Sequence, residues 1–151
     1  VTDDDLVRFV TAQEGVHETA VAELRSGRKR THWMWFVFPQ LAGLGRSPTA
    51  QHFAITGVDQ AARYLADPVL GPRLLDAVAV LTEAPAPSVE ALLGGIDAVK
   101  ARSSLTLFAR AAADPAPFRA ALDRWYGGEE DPATLRLLDD TGRVPRPSGG
   151  R

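Results

Sequence analysis

Three dipeptides punctuate this chain in the same way: Ser47-Pro48, Asp67-Pro68 and Asp131-Pro132. Each places a side-chain oxygen where it can accept from the free amides of a helix's first turn. Each follows it with a proline, whose fixed φ and missing N–H suit the first helical position. Such pairs start helices and do not fit inside a central strand. The other local signals agree. Leu6, Val10, Gln13, His17, Ala20, Val21 and Leu24 recur at helical spacing and predict one amphipathic helix, capped by Thr2 or Asp3 and ended by Gly27. Ser88 can cap a short helix through Leu93, Asp97 can start one running to about Ala112, and Pro117 can open another that ends before Gly127-Gly128. Strand signals are sparse. The best is WFVFPQL at 35–41, where Pro39 allows only an edge strand or its end, and the run reads equally as the end of a buried helix. There is no βαβ alternation and no internal repeat. The chain is therefore predicted to be mainly α, a single compact domain of roughly seven or eight helices over residues 1–143, with little or no sheet. The Pro/Gly-rich tail at 144–151 is expected to be disordered.

With 151 residues the chain is long enough for one self-supporting core. It contains no cysteine, which excludes disulfides, thiolate metal sites and a cysteine nucleophile. Its three histidines fall in no metal-binding spacing, and no G-x-S-x-G elbow is present. No apolar run approaches the roughly 18 residues of a membrane span. The acidic start VTDDDL lacks the apolar core of a signal peptide, so a cytoplasmic protein is expected.

The net charge of -2 argues against a generally basic nucleic-acid binder. It conceals two positive islands, however. Between Glu23 and Asp59 there is no carboxylate, but there are five basic residues (Arg25, Arg28, Lys29, Arg30, Arg46). Between Asp97 and Asp114 there are three (Lys100, Arg102, Arg110), again with no carboxylate. Local excesses of this kind suit a small anionic ligand. The first island also holds Trp33 and Trp35, which read either as core or as a platform for a nucleobase. Its GLGRSPT segment at 43–49 can present backbone amides, with Arg46 and Ser47, to an anion. In the second island, helical spacing groups Asp97, Lys100, Ser103 and Ser104 on adjoining faces. The mid-helix Ser-Ser-x-Thr is a poor helix former, so it serves either back-bonding to the preceding turn or a site needing hydroxyls. The two islands make one site only if the fold brings them together.

The blocks RFVTAQ (8–13), ELRSGRKRTHWMWFVFPQLAGLGRS (23–47), YLADPVLGPRL (64–74) and DAVKARSSLTLFA (97–109) resemble domain-of-unknown-function family 1810 over roughly residues 4 to 138. That family is grouped with the YbiA-like, or NADAR, superfamily, which implies a mainly α fold. It also implies an N-glycosidase acting on a phosphorylated riboflavin intermediate or on ADP-ribosylated guanine. The chain has no clear match to the superfamily's Glu-His pair, and it carries His17 where Tyr and Asp67 where His are expected. On this resemblance, Asp97 or Glu14 is the expected catalytic acid. Lys29, Arg30, Arg46 and Lys100 would hold phosphates, and Trp33 and Trp35 would line the base pocket. Gln13, His32, Gln40, Ser47, Ser103 and Ser104 would add polar contacts. The implied partner is a small phosphorylated nucleotide-like ligand or an ADP-ribosylated base. No cofactor, metal or membrane is expected, and nucleic acid enters only as a modified substrate. Two other readings stay open: a non-catalytic nucleotide or ADP-ribose sensor, and an interaction module for protein or nucleic acid built on the GRKR cluster.

Overall fold

The computed structural model describes residues 4–142. The Thr2 or Asp3 cap and the tail at 144–151 lie outside the described residues. After a 3-10 turn at Asp4–Leu6, the described chain forms ten α-helices and no strand. They are α1 (Val7–Gln13), α2 (His17–Ser26), α3 (Met34–Val37), α4 (Pro48–His52), α5 (Val58–Ala66), α6 (Leu70–Glu83), α7 (Val89–Leu93), α8 (Gly95–Ala111), α9 (Ala116–Tyr126) and α10 (Pro132–Gly142). The all-α architecture is the expected one, and the surplus over seven or eight helices comes from pieces of one or two turns such as α3, α4 and α7. No described helix is long and apolar enough to cross a membrane.

The cap-and-proline signals act as anticipated. Ser47 Oγ accepts from the Ala50 amide at 3.1 Å, and Ser88 Oγ does the same for Ala91 at 3.0 Å. Asp67 Oδ1 accepts from the amides of Val69 and Leu70, so α6 begins just beyond Pro68. Three local readings change. Helix α8 begins at Gly95 with Gly94 at its N-cap, so Asp97 lies in its first turn and does not start it. The helix expected to run from Leu6 to Leu24 breaks at Glu14–Val16, where Gly15 takes φ +74° and turns the chain between α1 and α2. The 35–41 run is not a strand. Met34–Val37 closes one helical turn, and the only sheet-like pairing among the described residues is a parallel bridge between Leu41 and Ile55. Packing decides this: Met34, Val37, Phe38 and Leu41 are all buried, and the helical turn lets Trp33 and Phe38 meet at 6.1 Å between ring centroids.

Helix α8 is the axis of the fold. It packs against α3, α5, α7, α9 and α10, while α6 packs against α2, α5 and α9. Its residues 103–109 are buried without interruption, so this segment is enclosed on every side. An aromatic series runs through the core from Phe9 to Tyr64 (5.2 Å), from Tyr64 to Phe108 (5.2 Å) and on to Phe118 (6.1 Å). Two of the enclosed hydroxyls of α8 bond back to the preceding turn, Ser103 to the Val99 carbonyl (3.2 Å) and Thr106 to the Arg102 carbonyl (2.8 Å), and both also meet the start of α10. Asp131 Oδ2 accepts from Ser103 Oγ (3.1 Å), Thr134 Oγ1 (2.6 Å) and the Thr134 amide (2.9 Å), while Thr106 Oγ1 accepts from the Asp131 amide (2.9 Å). Asp131 is thus both the N-cap of α10 and its buried tether to α8. Asp131→Ala is expected to cost about 2–3 kcal/mol, through loss of the cap and stranding of buried hydroxyls. Urea denaturation against wild type measures this, and Asp131→Asn should recover part of the loss.

Candidate functional site

The site starts from the end of α2. Gly27 adopts φ +88°, and a Cβ there would stand 2.4 Å from the Pro85 carbonyl oxygen, so the close turn requires glycine. The Lys29 amide then donates to the Leu92 carbonyl (2.7 Å), tying the loop to the end of α7 just before α8 begins. The loop's shape is held by one carboxylate. Glu23 Oε1 accepts from the amides of Arg30 (2.8 Å) and Thr31 (3.1 Å) and from Trp33 Nε1 (2.9 Å), and Oε2 accepts from Thr31 Oγ1 (2.6 Å). Burial opposes its ionisation. The donors from the Thr31 hydroxyl, the Arg30 amide, Trp33 and the Thr31 amide outweigh that and bring the pKa down to about 2.

This anchoring brings Lys29 of the first island to Asp97 and Lys100 at the start of the second, while Arg102 and Arg110 pair instead with Glu129 and Glu130. Lys29 Nζ sits 2.9 Å from Asp97 Oδ2, donates to the Thr31 carbonyl (2.6 Å) and lies 5.0 Å from the centre of the Trp33 ring. Its side chain is only 8% exposed, against 20% for Asp97. Asp97 Oδ1 faces Lys100 Nζ at 3.9 Å, and Lys100 in turn lies 5.2 Å from the centre of the half-buried Trp35 ring. One carboxylate is thus shared by two ammonium groups, with an indole on each side. The guanidiniums of Arg28 and Arg30 and the ring of His32 are exposed on the same loop and have no side-chain partner among the described residues.

The remaining residues singled out from the sequence lie as follows. Trp33 is fully buried, so it forms the floor of the loop and leaves Trp35 as the indole that reaches the surface. Gln13 is buried and donates to the Phe36 carbonyl (2.7 Å) and to Tyr64 Oη (3.0 Å), pinning α1 to α3 and α5. Glu14 is exposed and pairs with Arg73 at 3.2 Å. Ser103 bonds Asp131, as described. Ser104 Oγ is the buried side-chain polar atom without a hydrogen-bond partner among the described residues. It follows Lys100 by four residues and Asp97 by seven, and so shares their helix face. Gln40 is half-buried at the Leu41–Ile55 bridge, its carbonyl accepting from the Ile55 amide (2.8 Å). Arg46 and Ser47 belong to a different neighbourhood. Ser47 Oγ is spent on its cap, the Arg46 carbonyl accepts from Gln51 Nε2 (2.9 Å), and the adjoining Gly43 backs onto Leu137 of α10.

Two concavities lie elsewhere among the described residues. A groove of about 700 Å³ is lined among the described residues by Val58, Arg110, Pro132, Leu135, Arg136 and neighbours on α10. Arg110 there is committed to Glu130 (3.1 Å). Another of about 370 Å³ runs beside α6 and includes Arg25, Asp76 and Glu83. Both have mixed or internally paired charges. The Lys29–Asp97–Lys100 group has a net positive charge and an aromatic wall, so it is the better candidate for an anionic ligand. Among the described residues no three His, Asp or Glu side chains gather closely enough to hold a metal ion.

Comparison with known proteins places the chain. A family model described as "Protein of unknown function (DUF1810)" matches residues 3–138. The chain belongs to this family. A similar solved structure is the crystal structure of the conserved hypothetical protein Rv1873 from Mycobacterium tuberculosis at 1.38 Å. The two share 48% sequence identity and a TM-score of 0.86, covering 89% of this chain and 96% of that one. No curated protein matches the chain.

Sequence reasoning missed Glu23. It was treated only as the border of a carboxylate-free window, and no helical or strand spacing links it to residues 30–33. A lone carboxylate next to a cationic loop rich in amide and indole donors is the signal that was available.

The lowered pKa has a direct consequence. The group titrates near 4.5 when unperturbed and at about 2 in the folded chain. Its stabilisation is therefore complete above about pH 4.5, declines as pH falls through that window and is gone below about pH 2. Asp5, drawn down to about 2 first by its hydrogen bonds from Arg63 and then by that from Gln60, acts over the same range. Melting temperatures measured from pH 6 to about pH 2 should fall less steeply in Glu23→Gln than in wild type. An identical slope would show that Glu23 carries no charge-dependent load.

Proposed function

We propose that this chain is an N-glycosidase, an ADP-ribosyl hydrolase-like protein that acts on a base joined to a ribose phosphate or to ADP-ribose. Two things support the reading: the resemblance of its motif blocks to family 1810, grouped with the YbiA-like, or NADAR, superfamily, and the closeness of Lys29 and Lys100 from the two positive islands. The observation that carries it is the 2.9 Å contact between Lys29 of the first island and Asp97 of the second, with Lys100 and Trp35 alongside.

The chemistry needs few parts. Breaking an N-glycosidic bond leaves positive charge on the sugar's anomeric carbon, and the bonding electron pair departs with the base. Asp97 stabilises that cation. Water adds to the carbon, one water proton passes to the leaving base, and the products are free base and the hydroxylated sugar. Lys29 and Lys100, with Arg28 and Arg30 at the rim, neutralise the ligand's phosphates. Trp35 offers an indole face to the base. The reaction requires no metal or redox cofactor. Glu14, exposed and paired with Arg73, is the weaker choice for the acid.

A second reading is a non-catalytic sensor of the same ligand. It draws on Asp97 being held by an ammonium group rather than free, and on the lack of a clear Glu-His pair.

The test is incubation with ADP-ribosylated guanosine, ADP-ribosylated DNA and ribose-phosphate pyrimidine intermediates, with chromatographic detection of released base. Wild type should release base, and Asp97→Asn should lower the rate about 100-fold or more while remaining folded. Thermal stabilisation by ligand, with no product from wild type, would favour the sensor instead.

A further inference from the structure

We infer that Asp97 is a built-in surrogate for the ligand's phosphate, occupying the two lysines when the site is empty and handing them over when a phosphorylated ligand arrives. This rests on the reading of the loop as a phosphate site and adds to it a competition internal to the protein.

The charges near Asp97 argue for the exchange. Lys29 is an ammonium group with 8% of its side chain exposed, and a buried cation needs an anion. Asp97 is the carboxylate in ion-pair contact with it, at 2.9 Å. The same carboxylate also faces Lys100, at the looser distance of 3.9 Å. Two cations therefore share one anion, which leaves the group positive. The exposed guanidiniums of Arg28 and Arg30, without side-chain partners among the described residues, add to that excess. A phosphate brings more negative charge and more acceptor oxygens than a carboxylate, so it can satisfy both lysines at once. The protein need supply only a short path, and the site is near the surface: Asp97 is 20% and Lys100 25% exposed. The exchange would also release the carboxylate to face the sugar only when a phosphate is in place, coupling recognition of the ligand to the freeing of the acid.

The prediction has an unusual sign. If Asp97 competes with the ligand, removing its charge tightens anion binding, although the same change damages catalysis. The probe is inorganic pyrophosphate, titrated calorimetrically into the full chain at fixed salt. Asp97→Asn should bind it about two- to fivefold more tightly than wild type, the range expected when one partly exposed ion pair no longer has to be broken. Lys29→Gln should bind it more weakly than wild type. If Asp97→Asn proves less stable, pyrophosphate should raise its melting temperature by more than it raises that of wild type.

A wild-type crystal soaked in pyrophosphate gives a check independent of any variant. Lys29 and Lys100 should contact the anion, and the 2.9 Å contact between Lys29 and Asp97 should be broken. Equal or weaker binding by Asp97→Asn, or an intact Lys29–Asp97 pair with the anion elsewhere or absent, overturns the inference. Failure of the glycosidase reading is separate, because it appears as no base release from wild type whatever pyrophosphate does.

Discussion

The carboxylate of Glu23 organises the loop between α2 and α3. Four donors converge on it: two backbone amides, a hydroxyl and an indole N–H, all from residues 30–33. A loop of that length between two helices has many conformations, and fixing each residue costs on the order of 1–2 kcal/mol of backbone entropy. Glu23 offsets part of that cost with charge-assisted bonds. Because Trp33 is one of the donors, the same carboxylate also sets where the loop enters the core. The path of Lys29, which decides whether the two positive islands form one site, follows from that placement.

The second constraint is the enclosure of α8. A helix buried on all sides reads as uniformly apolar, yet this one carries Ser103, Ser104 and Thr106 within its buried stretch. Two of the three bond back to α8's own carbonyls, at Val99 and Arg102, and also meet α10's cap Asp131, whose carboxylate accepts from Ser103 and whose amide donates to Thr106. These hydroxyls stitch two helices together. Ser104 has no such partner and lies on the face that carries Asp97 and Lys100. The two serines thus differ in their bonding, Ser103 being partnered and Ser104 not, a difference that their sequence alone conceals.

Most of the fold is written in local signals. Ser47, Asp67, Ser88 and Asp131 all accept from the first-turn amides they were expected to cap, because capping needs only the residue itself and the next few positions. The readings that changed depended on distant atoms. Gly15 breaks an otherwise regular helical pattern, because periodicity over 6–24 is equally satisfied by two helices meeting at a turn. The aromatic run at 35–41 became a helical turn because burial of Met34, Val37 and Phe38 between α1 and α8 rewards that shape. Gln13 looked like a site residue for want of partners in its own sequence. Its partners, Phe36 and Tyr64, lie 23 and 51 residues away.

The sequence by itself determined an all-α chain, where the helices capped by Ser47, Asp67, Ser88 and Asp131 begin, and that two stretches carry surplus positive charge. These are properties of short windows, governed by backbone amides, proline geometry and composition. Tertiary structure decided that Lys29 of one surplus and Lys100 of the other share Asp97, and that Trp33 belongs to the core while Trp35 reaches the surface. Those outcomes depend on contacts between residues up to about 70 positions apart, as between Lys29 and Asp97. Only packing around α8, with the loop held by Glu23, brings such distant charges within bonding distance.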